Sequence, residues 1–438
     1  MVRPPDLLSR VTRWFASPLR TPPGLLNRVT GRFAGPARTP PGFLSRVGRG
    51  FASPLRSPVL TAHLGLWLGA ALLVCFATGV LSHLIQHPAS WFHWPARPVQ
   101  LYRITQGLHV ASGLAAIPLL TAKVWSVYPK LFTWPPVRDL GHALDRAAAG
   151  LASAAAVFEL VTGVLNIAYW YSAMPFGFLG AHYWTAWLLA GALLLHLAAK
   201  LPVIRSALAA RPTEPNPAPT EPNPAPTEPS RAPAEPIAAP IGGWTRRGAI
   251  AVVGTAAGAV TVATLGQTVA PLKRVSLLAP RLPGVGPQGL PVNKTAAAAR
   301  VVRVDEGYRL MLTGPAGRHA LSLADLQAMP QTTVELPIAC VEGWSSGATW
   351  TGIRFADLLP LVGGLDLPVT VESLQPDGPY RSSALDPGPA RDPLTLLALR
   401  LGGEPLHLDH GYPARLIGPN RPGVLQTKWV GAITAAPR

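Results

Sequence analysis

Charge is scarce in this sequence: 13% of its 438 residues are Asp, Glu, Lys or Arg, against about 25% in soluble globular chains. Hydrophobic residues make up 48% of the chain and its mean hydropathy is +0.26. A chain so poor in charge cannot keep all of its surface in water, which excludes a purely soluble enzyme. The 42 Gly and 50 Pro exclude a coiled coil, and the apolar content excludes a wholly disordered chain. Acid is scarcer than base, 21 residues against 38, for a net charge of +17. The imbalance is local, because residues 1–57 hold ten Arg and a single acid, Asp6. A basic arm ahead of apolar spans reads as a tether to anionic lipid and a topology signal, and argues against a nucleic-acid partner. Cysteine is nearly absent. Cys75 lies in an apolar span and Cys340 far downstream, so no useful disulfide is expected. Cys340 is then either a small buried hydrophobe or a chemical ligand.

What is present falls into blocks. The arm repeats with a period of 18 residues, starting at Leu7, Leu25 and Phe43. Leu7, Leu8, Val11, Trp14 and Phe15 share one helical face with Arg10 and Arg13 off it. That pattern predicts an interfacial amphipathic helix ended by Thr-Pro-Pro-Gly; a duplicated, unstructured basic tail is the alternative. From Ser57 to Ala96 there is no Asp, Glu, Lys or Arg, and about Pro58–Ile85 suffices to cross a hydrocarbon core of roughly 30 Å. Further spans are predicted between Arg103 and Lys123, from after Arg146 to near Tyr169, and over about His182–Val203. Arg56, the Lys130–Arg138–Arg146 loop and Arg205–Arg211 mark one side, with Arg97 and Arg103 as exceptions, so the N-terminus is expected to be cytoplasmic.

Residues 211–236 repeat TEPNPAP, a polyproline-like spacer. Thr245-Arg246-Arg247-Gly248-Ala249-Ile250 then opens a charge-free fifth span to Leu272. It resembles an internal twin-arginine export signal, a route that carries folded domains outward; a plain inside anchor is the alternative. Residues 273–438 read as a β-rich α+β domain, with strands expected at Ala299–Val304, Tyr308–Leu312, Thr333–Ile338, Val369–Ser373 and Ala414–Ile417. Short helices are expected at Asp357–Val362 and Pro393–Leu401. The blocks are therefore 1–57, 58–204, 205–243, 244–272 and 273–438. The fold class is multi-domain: an all-α four-helix transmembrane bundle, a further transmembrane helix and a β-rich α+β domain outside the membrane.

Five histidines sit in or at the ends of the spans: His63, His83, His109, His182 and His196. Ionisable residues inside a membrane mark function by default. His182 and His196 are fourteen residues apart, about 21 Å along a helix, which suits two b haems stacked across a membrane. His63 is expected to meet His196, and His109 to meet His182, with His83 as the rival for the second pair. Gly65, Gly69, Gly79, Gly107, Gly113, Gly163 and Gly191 would let a flat macrocycle approach. Glu159 is either a proton-relay or quinone-site carboxyl or a partner of Lys123 or Arg146. This placement of histidines over residues 58–204 resembles the di-haem cytochrome b group that anchors redox enzymes in membranes.

The C-terminal domain carries Cys340-Val341-Glu342-Gly343-Trp344-Ser345, then His410-Gly411-Tyr412-Pro413-Ala414-Arg415, then Thr427-Lys428-Trp429. In that order, over roughly residues 285–438, these motifs resemble the sulfite oxidase-type molybdenum enzymes, most closely their methionine-sulfoxide-reductase-like branch. The resemblance implies a molybdenum–molybdopterin cofactor with Cys340 as metal ligand, a soft thiolate for a redox-cycling metal. It further implies Arg415 and Lys428 at the pterin phosphate, His410 on the pterin ring, Thr427 as a cofactor-binding residue and Asn293 as an N-terminal pterin contact. Sulfite-oxidising members that act as separate proteins carry an additional immunoglobulin-like domain, whereas this sequence ends soon after Trp429. The expected function is electron passage between membrane quinone or quinol, two haems and an extracytoplasmic molybdenum centre in a bacterial plasma membrane. The expected chemistry is reduction of a small sulfoxide-like oxide. Sulfite-type oxidation, or a cytochrome with a degenerate molybdenum domain, is the alternative.

Overall fold

The computed structural model describes residues 56–133, 135–209, 245–301, 304 and 306–437. The 18-residue repeat of the arm and the proline-rich spacer lie outside the described residues. Among the described residues five long helices come first: α1 (Pro58–Gln86), α2 (Leu101–Val127), α3 (Leu140–Ile167), α4 (Phe178–Ala209) and α5 (Arg246–Leu265). Even α5, at 20 residues, is about 30 Å long, so each is long and apolar enough to cross a membrane.

Local chemistry sets the starts. Ser57 accepts the Leu60 amide ahead of Pro58, Asp139 accepts the His142 amide and Thr245 accepts the Gly248 amide. Each satisfies a donor that a helix N-terminus leaves without an intrahelical partner. Asp139 also explains why α3 starts ahead of Arg146. Leu68, Ala116, Leu120, Ala152, Ala155, Ala156, Leu189 and Ala192 from α1–α4 form one core. Its alanines allow close helix approach. Leu66, Trp67, Leu73, Trp184, Leu194 and Leu195 point outward and are exposed.

Two five-stranded sheets follow. The first is ordered β2-β1-β10-β5-β6: β1 (Arg309–Gly314), β2 (Gly317–Ser322), β5 (Val369–Ser373), β6 (Ser382–Leu385) and β10 (Val430–Ala435). Only β1–β10 within it is parallel. The second is antiparallel, β3-β4-β7-β8 with β9 also on β7: β3 (Thr332–Ala339), β4 (Ser345–Arg354), β7 (Leu396–Leu401), β8 (Glu404–Pro405) and β9 (Arg415–Ile417). The main core gathers Leu310, Leu312, Val371 and Ile433 from the first sheet with Ile353, Leu397 and Leu416 from the second.

Two sequence expectations are corrected here. Pro393–Leu401 is not a helix but contains β7. Leu397 and Leu399 enter the main core while Leu396, Ala398 and Leu401 enter a second one beyond it. A strand buried on both faces shows a continuous apolar run that periodicity cannot separate from a buried helix. Of the strand expected at Ala299–Val304, residues 299–301 are not strand but close turns onto Thr295, Ala296 and Ala297, and Ala299 and Val301 pack on Trp429; residues 302 and 303 lie outside the described residues. Asp357–Val362 splits into an α turn, Phe355–Leu358, and a 3-10 turn, Leu359–Val362.

Candidate functional site

Cys340 occupies the turn between β3 and β4. The Cys340 amide donates to the Trp344 carbonyl at 2.9 Å and the Gly343 amide to the Cys340 carbonyl at 3.0 Å. Gly343 has φ +90° and lies where a β-carbon would meet Val110 of α2 at 2.5 Å, so the turn needs glycine both for its conformation and for this close approach. The thiol faces a small cavity lined in part by Asn293, Trp344, His410, Arg415 and Lys428. Five of the six cofactor residues named from the sequence thus meet around one space. Thr427 is the exception: its hydroxyl is buried against Ser383 Oγ at 2.6 Å, and it does not line the cavity.

Two cations and no carboxylate line the cavity. Arg415 is 3% exposed and gives Nη1 to the His410 carbonyl at 3.2 Å, while its Nε has no hydrogen-bond partner. Burial lowers its pKa to about 10. Lys428 donates to the carbonyls of Lys294 (2.8 Å) and Asp409 (2.7 Å); burial, then the Arg415 charge, lowers it to about 7. Burial also holds His410 down to about 4, so the ring is neutral at pH 7. Its Nε2–H donates to the Pro287 carbonyl at 2.8 Å. Burial, then the Glu342 carboxylate, pushes the Cys340 thiol up. Burying two cations is costly without an anion beside them. An anionic, sulfur-bearing group in this space would meet Arg415 Nε, the Lys428 charge and the thiol, so the residues fit a molybdopterin.

Gly411, within the second motif, has φ +108°, and a β-carbon there would stand 3.1 Å from the Lys428 backbone. Gly411→Ala is expected to cost about 1–3 kcal/mol through strain and crowding, seen as a lower thermal midpoint by near-UV circular dichroism.

Sequence reading missed Glu342, although it stands inside the first motif. It is 2% exposed and accepts from Asn293 Nδ2 (3.2 Å) and the Tyr171 hydroxyl (3.4 Å). Asn293 Nδ2 also reaches Cys340 Sγ at 3.1 Å. The seam with the helices was missed as well. Gln106 of α2 and Asn166 of α3 both donate to the Val341 carbonyl, at 2.8 and 3.2 Å. Thr268 donates to the Gly343 carbonyl, and the Ser345 amide donates to Gln267 O. Beyond the turn, Asn420 accepts the Tyr102 amide (2.6 Å) and donates to Pro95 O (2.7 Å), and Arg97 forks onto Asp392. Polar Gln106 and Asn166 within apolar helices were the available signal. Replacing both by Leu leaves the Val341 carbonyl without these donors, a loss of about 1–3 kcal/mol. Faster hydrogen exchange at Val341–Ser345 with unchanged helix content is the expected readout.

A larger cleft, about 220 Å³, opens between the α1–α2 connection and β6 and holds none of the predicted site residues.

The helix histidines separate into two kinds. His63 Nδ1–H donates to Val59 O and His109 Nδ1–H to Cys75 O, both at 2.8 Å. His182 Nδ1 lies 2.7 Å from Thr162 Oγ1 and 3.1 Å from Glu159 Oε2, and His196 Nδ1 lies 3.4 Å from Asp145 Oδ1. These contacts leave Nε2 as the open nitrogen, the arrangement seen in metal-binding imidazoles. His109 and His182 stand with ring centroids 6.4 Å apart at 77°. His83 instead stacks on Tyr183 at 3.6 Å, so it is not the ring that faces His182. Glu159 pairs with neither Lys123, which donates to Thr61 O, nor Arg146, which donates to Lys130 O. Among the described residues no three or more His, Cys, Asp or Glu side chains gather around a metal position. Neither a lone thiolate with a pterin nor a pair of imidazoles requires such a group.

Residues 297–438 match the family model for the oxidoreductase molybdopterin binding domain. This part of the chain is a molybdopterin-binding oxidoreductase domain, similar to sulfite oxidases. A protein of Azospira oryzae that carries the name protein-methionine-sulfoxide reductase subunit YedZ1 is 33% identical over 127 residues, 29% of this chain and 48% of that one. The mitochondrial sulfite oxidase of Homo sapiens is 30% identical over 159 residues, 30% of this chain and 29% of that one. The chain thus spans less than half the length of these curated relatives. Among solved structures, the sulfane dehydrogenase SoxCD of Paracoccus pantotrophus aligns over 31% of this chain and 40% of that one, at 23% identity and a TM-score of 0.29.

Proposed function

We propose that this chain is a membrane-bound molybdopterin-dependent oxidoreductase that reduces a small sulfoxide-like oxide with electrons from membrane quinol. The observation that carries it is the Cys340 turn. Its thiol faces a cation-lined cavity, while its backbone is held by Gln106 of α2 and Asn166 of α3, beside the helices that bear His109 and His182. The overall reaction balances as sulfoxide plus two protons and two electrons giving sulfide and water, with quinol oxidised to quinone plus two protons and two electrons. A bound molybdopterin supplies two-electron oxygen-atom exchange at molybdenum. Cys340 supplies the soft thiolate for the metal, Arg415 and Lys428 the positive charge for the pterin phosphate, and neutral His410 a ring edge fixed by Pro287.

Two b haems in the helix domain, one on His109 and His182 and one on His63 and His196, would carry the electrons. Outward Trp and Leu surfaces, five apolar helices and the arginines of the first 57 residues support a bacterial plasma membrane, a cytoplasmic N-terminus and an arm on anionic lipid. Residues 273–438 would then lie outside, exported by the twin-arginine route that Arg246 and Arg247 resemble.

The likeness to sulfite oxidases favours one second reading, sulfite plus water giving sulfate, two protons and two electrons that enter the membrane. The test is the purified full chain: molybdenum and haem per protein, then reduction by quinol and reoxidation by candidate oxides. Stoichiometric molybdenum with sulfoxide-dependent haem reoxidation is expected. Haem reduction by sulfite would select the second reading, and protein without molybdenum would overturn both.

A further inference from the structure

The antiparallel helices α3 and α4 carry matched ladders. Asp145 and Glu159 are fourteen residues apart on α3, and His182 and His196 are fourteen apart on α4. Fourteen residues are close to four turns, so each set stays on one face, its members about 21 Å apart. Glu159 Oε2 lies 3.1 Å from His182 Nδ1, and Asp145 Oδ1 lies 3.4 Å from His196 Nδ1. These carboxylates are held away from water. Glu159 is 9% exposed and its Oε1 is buried with no hydrogen-bond partner. Asp145 Oδ1 and His196 Nδ1 are likewise buried, without partners in hydrogen-bond geometry, and face each other. A carboxylate in an apolar helix core costs stability unless something uses it. The opposing rings differ in having no carboxylate at Nδ1: His63 donates to Val59 O, and His109 Nδ1 lies 2.8 Å from Cys75 O, with Thr78 Oγ1 at 3.4 Å and Cys75 Sγ at 3.6 Å.

We propose that Glu159 and Asp145 are the positioning and redox-tuning carboxylates of two haem sites, each of which pairs a carboxylate-backed imidazole from α4 with a carbonyl-backed one from α1 or α2. The inference rests on the haem reading given under Proposed function. A carboxylate at Nδ1 fixes the tautomer, aims Nε2 and raises the basicity of the ligand. Its negative charge, a few Å from the ring in a medium of low dielectric, stabilises the ferric over the ferrous ion and so lowers the potential. The two sites are not equal. Asp145 Oδ2 is bound by Lys200 Nζ at 2.6 Å, which cancels much of its charge. Glu159 has no Lys or Arg ion pair; its Oε2 stands 3.1 Å from His182 Nδ1, whose hydrogen-bond partner is the Thr162 hydroxyl at 2.7 Å. Thr162 itself donates to Phe158 O at 2.7 Å, which leaves its oxygen free to accept from His182. The Glu159 site therefore feels the larger effect.

The test is a spectroscopic redox titration of the full chain in detergent, comparing Glu159→Gln and Asp145→Asn with the unaltered protein. Each substitution keeps the shape and removes the charge. Glu159→Gln is expected to raise the midpoint of one haem by about 59 mV or more, a tenfold shift in a one-electron equilibrium, and Asp145→Asn to raise the other by less. Two haems with unchanged midpoints in Glu159→Gln would overturn the proposal. If Glu159→Gln instead loses one haem, Glu159→Asp must restore it, and failure to do so would also overturn it. An unaltered protein that binds no haem refutes the underlying haem reading instead, which keeps the two failures apart.

Discussion

Cys340→Ser is expected to abolish oxygen-atom transfer while leaving the helix domain and its absorbance unchanged. A serine oxygen is a harder and weaker ligand than a thiolate for a redox-cycling metal. Loss of a partner that only supports a ligand already costs 10–100-fold, so loss of the ligand itself should lower activity by more than about 100-fold. The fold should tolerate the change. Ser is slightly smaller, its oxygen can still accept from Asn293 Nδ2, and the turn is held by its backbone bonds to Trp344 and Gly343. The expected loss of stability is about 1 kcal/mol. Metal analysis and turnover of the same preparation check it: a Ser variant with full turnover would remove Cys340 from the metal.

His182→Ala and His196→Ala are each expected to remove one haem of two, counted per protein by pyridine haemochrome. A bis-imidazole haem needs an imidazole on both faces, and Ala offers no nitrogen. Loss at His182 should also stop electron exchange with the Cys340 site, because His182 and its neighbour His109 lie at the end of the helices where Gln106 and Asn166 hold the Cys340 turn. Loss at His196 should spare that exchange when a chemical reductant supplies electrons. His83→Ala should retain both haems, since its ring is stacked on Tyr183. Two haems with unaltered spectra in both α4 variants would remove α4 as a ligand helix.

Much of the molecule was legible from residues alone, for physical reasons that operate locally. Runs without charge, such as Ser57–Ala96, decide that α1 is helical and apolar, because a long uncharged stretch must satisfy its backbone internally. Capping residues such as Ser57 and Thr245 act over three positions. Cys340, His410, Arg415 and Lys428 were found through short motifs, and the structure brings all four, with Asn293, to one cavity. Tertiary packing decided the rest. Whether Pro393–Leu401 is helix or strand depends on cover for both its faces, and that cover comes from residues as distant as Leu310 and Trp350. Thr427 was expected beside Lys428 at the cofactor, yet its hydroxyl bonds with Ser383, a residue 44 positions away, and it does not line the cavity. Glu159 had four available roles or partners by sequence, and only the antiparallel register of α3 with α4 places it on His182. The seam at Val341 joins residues 235 and 175 positions apart. No local pattern encodes such a contact, because it exists only once two separately folded surfaces meet.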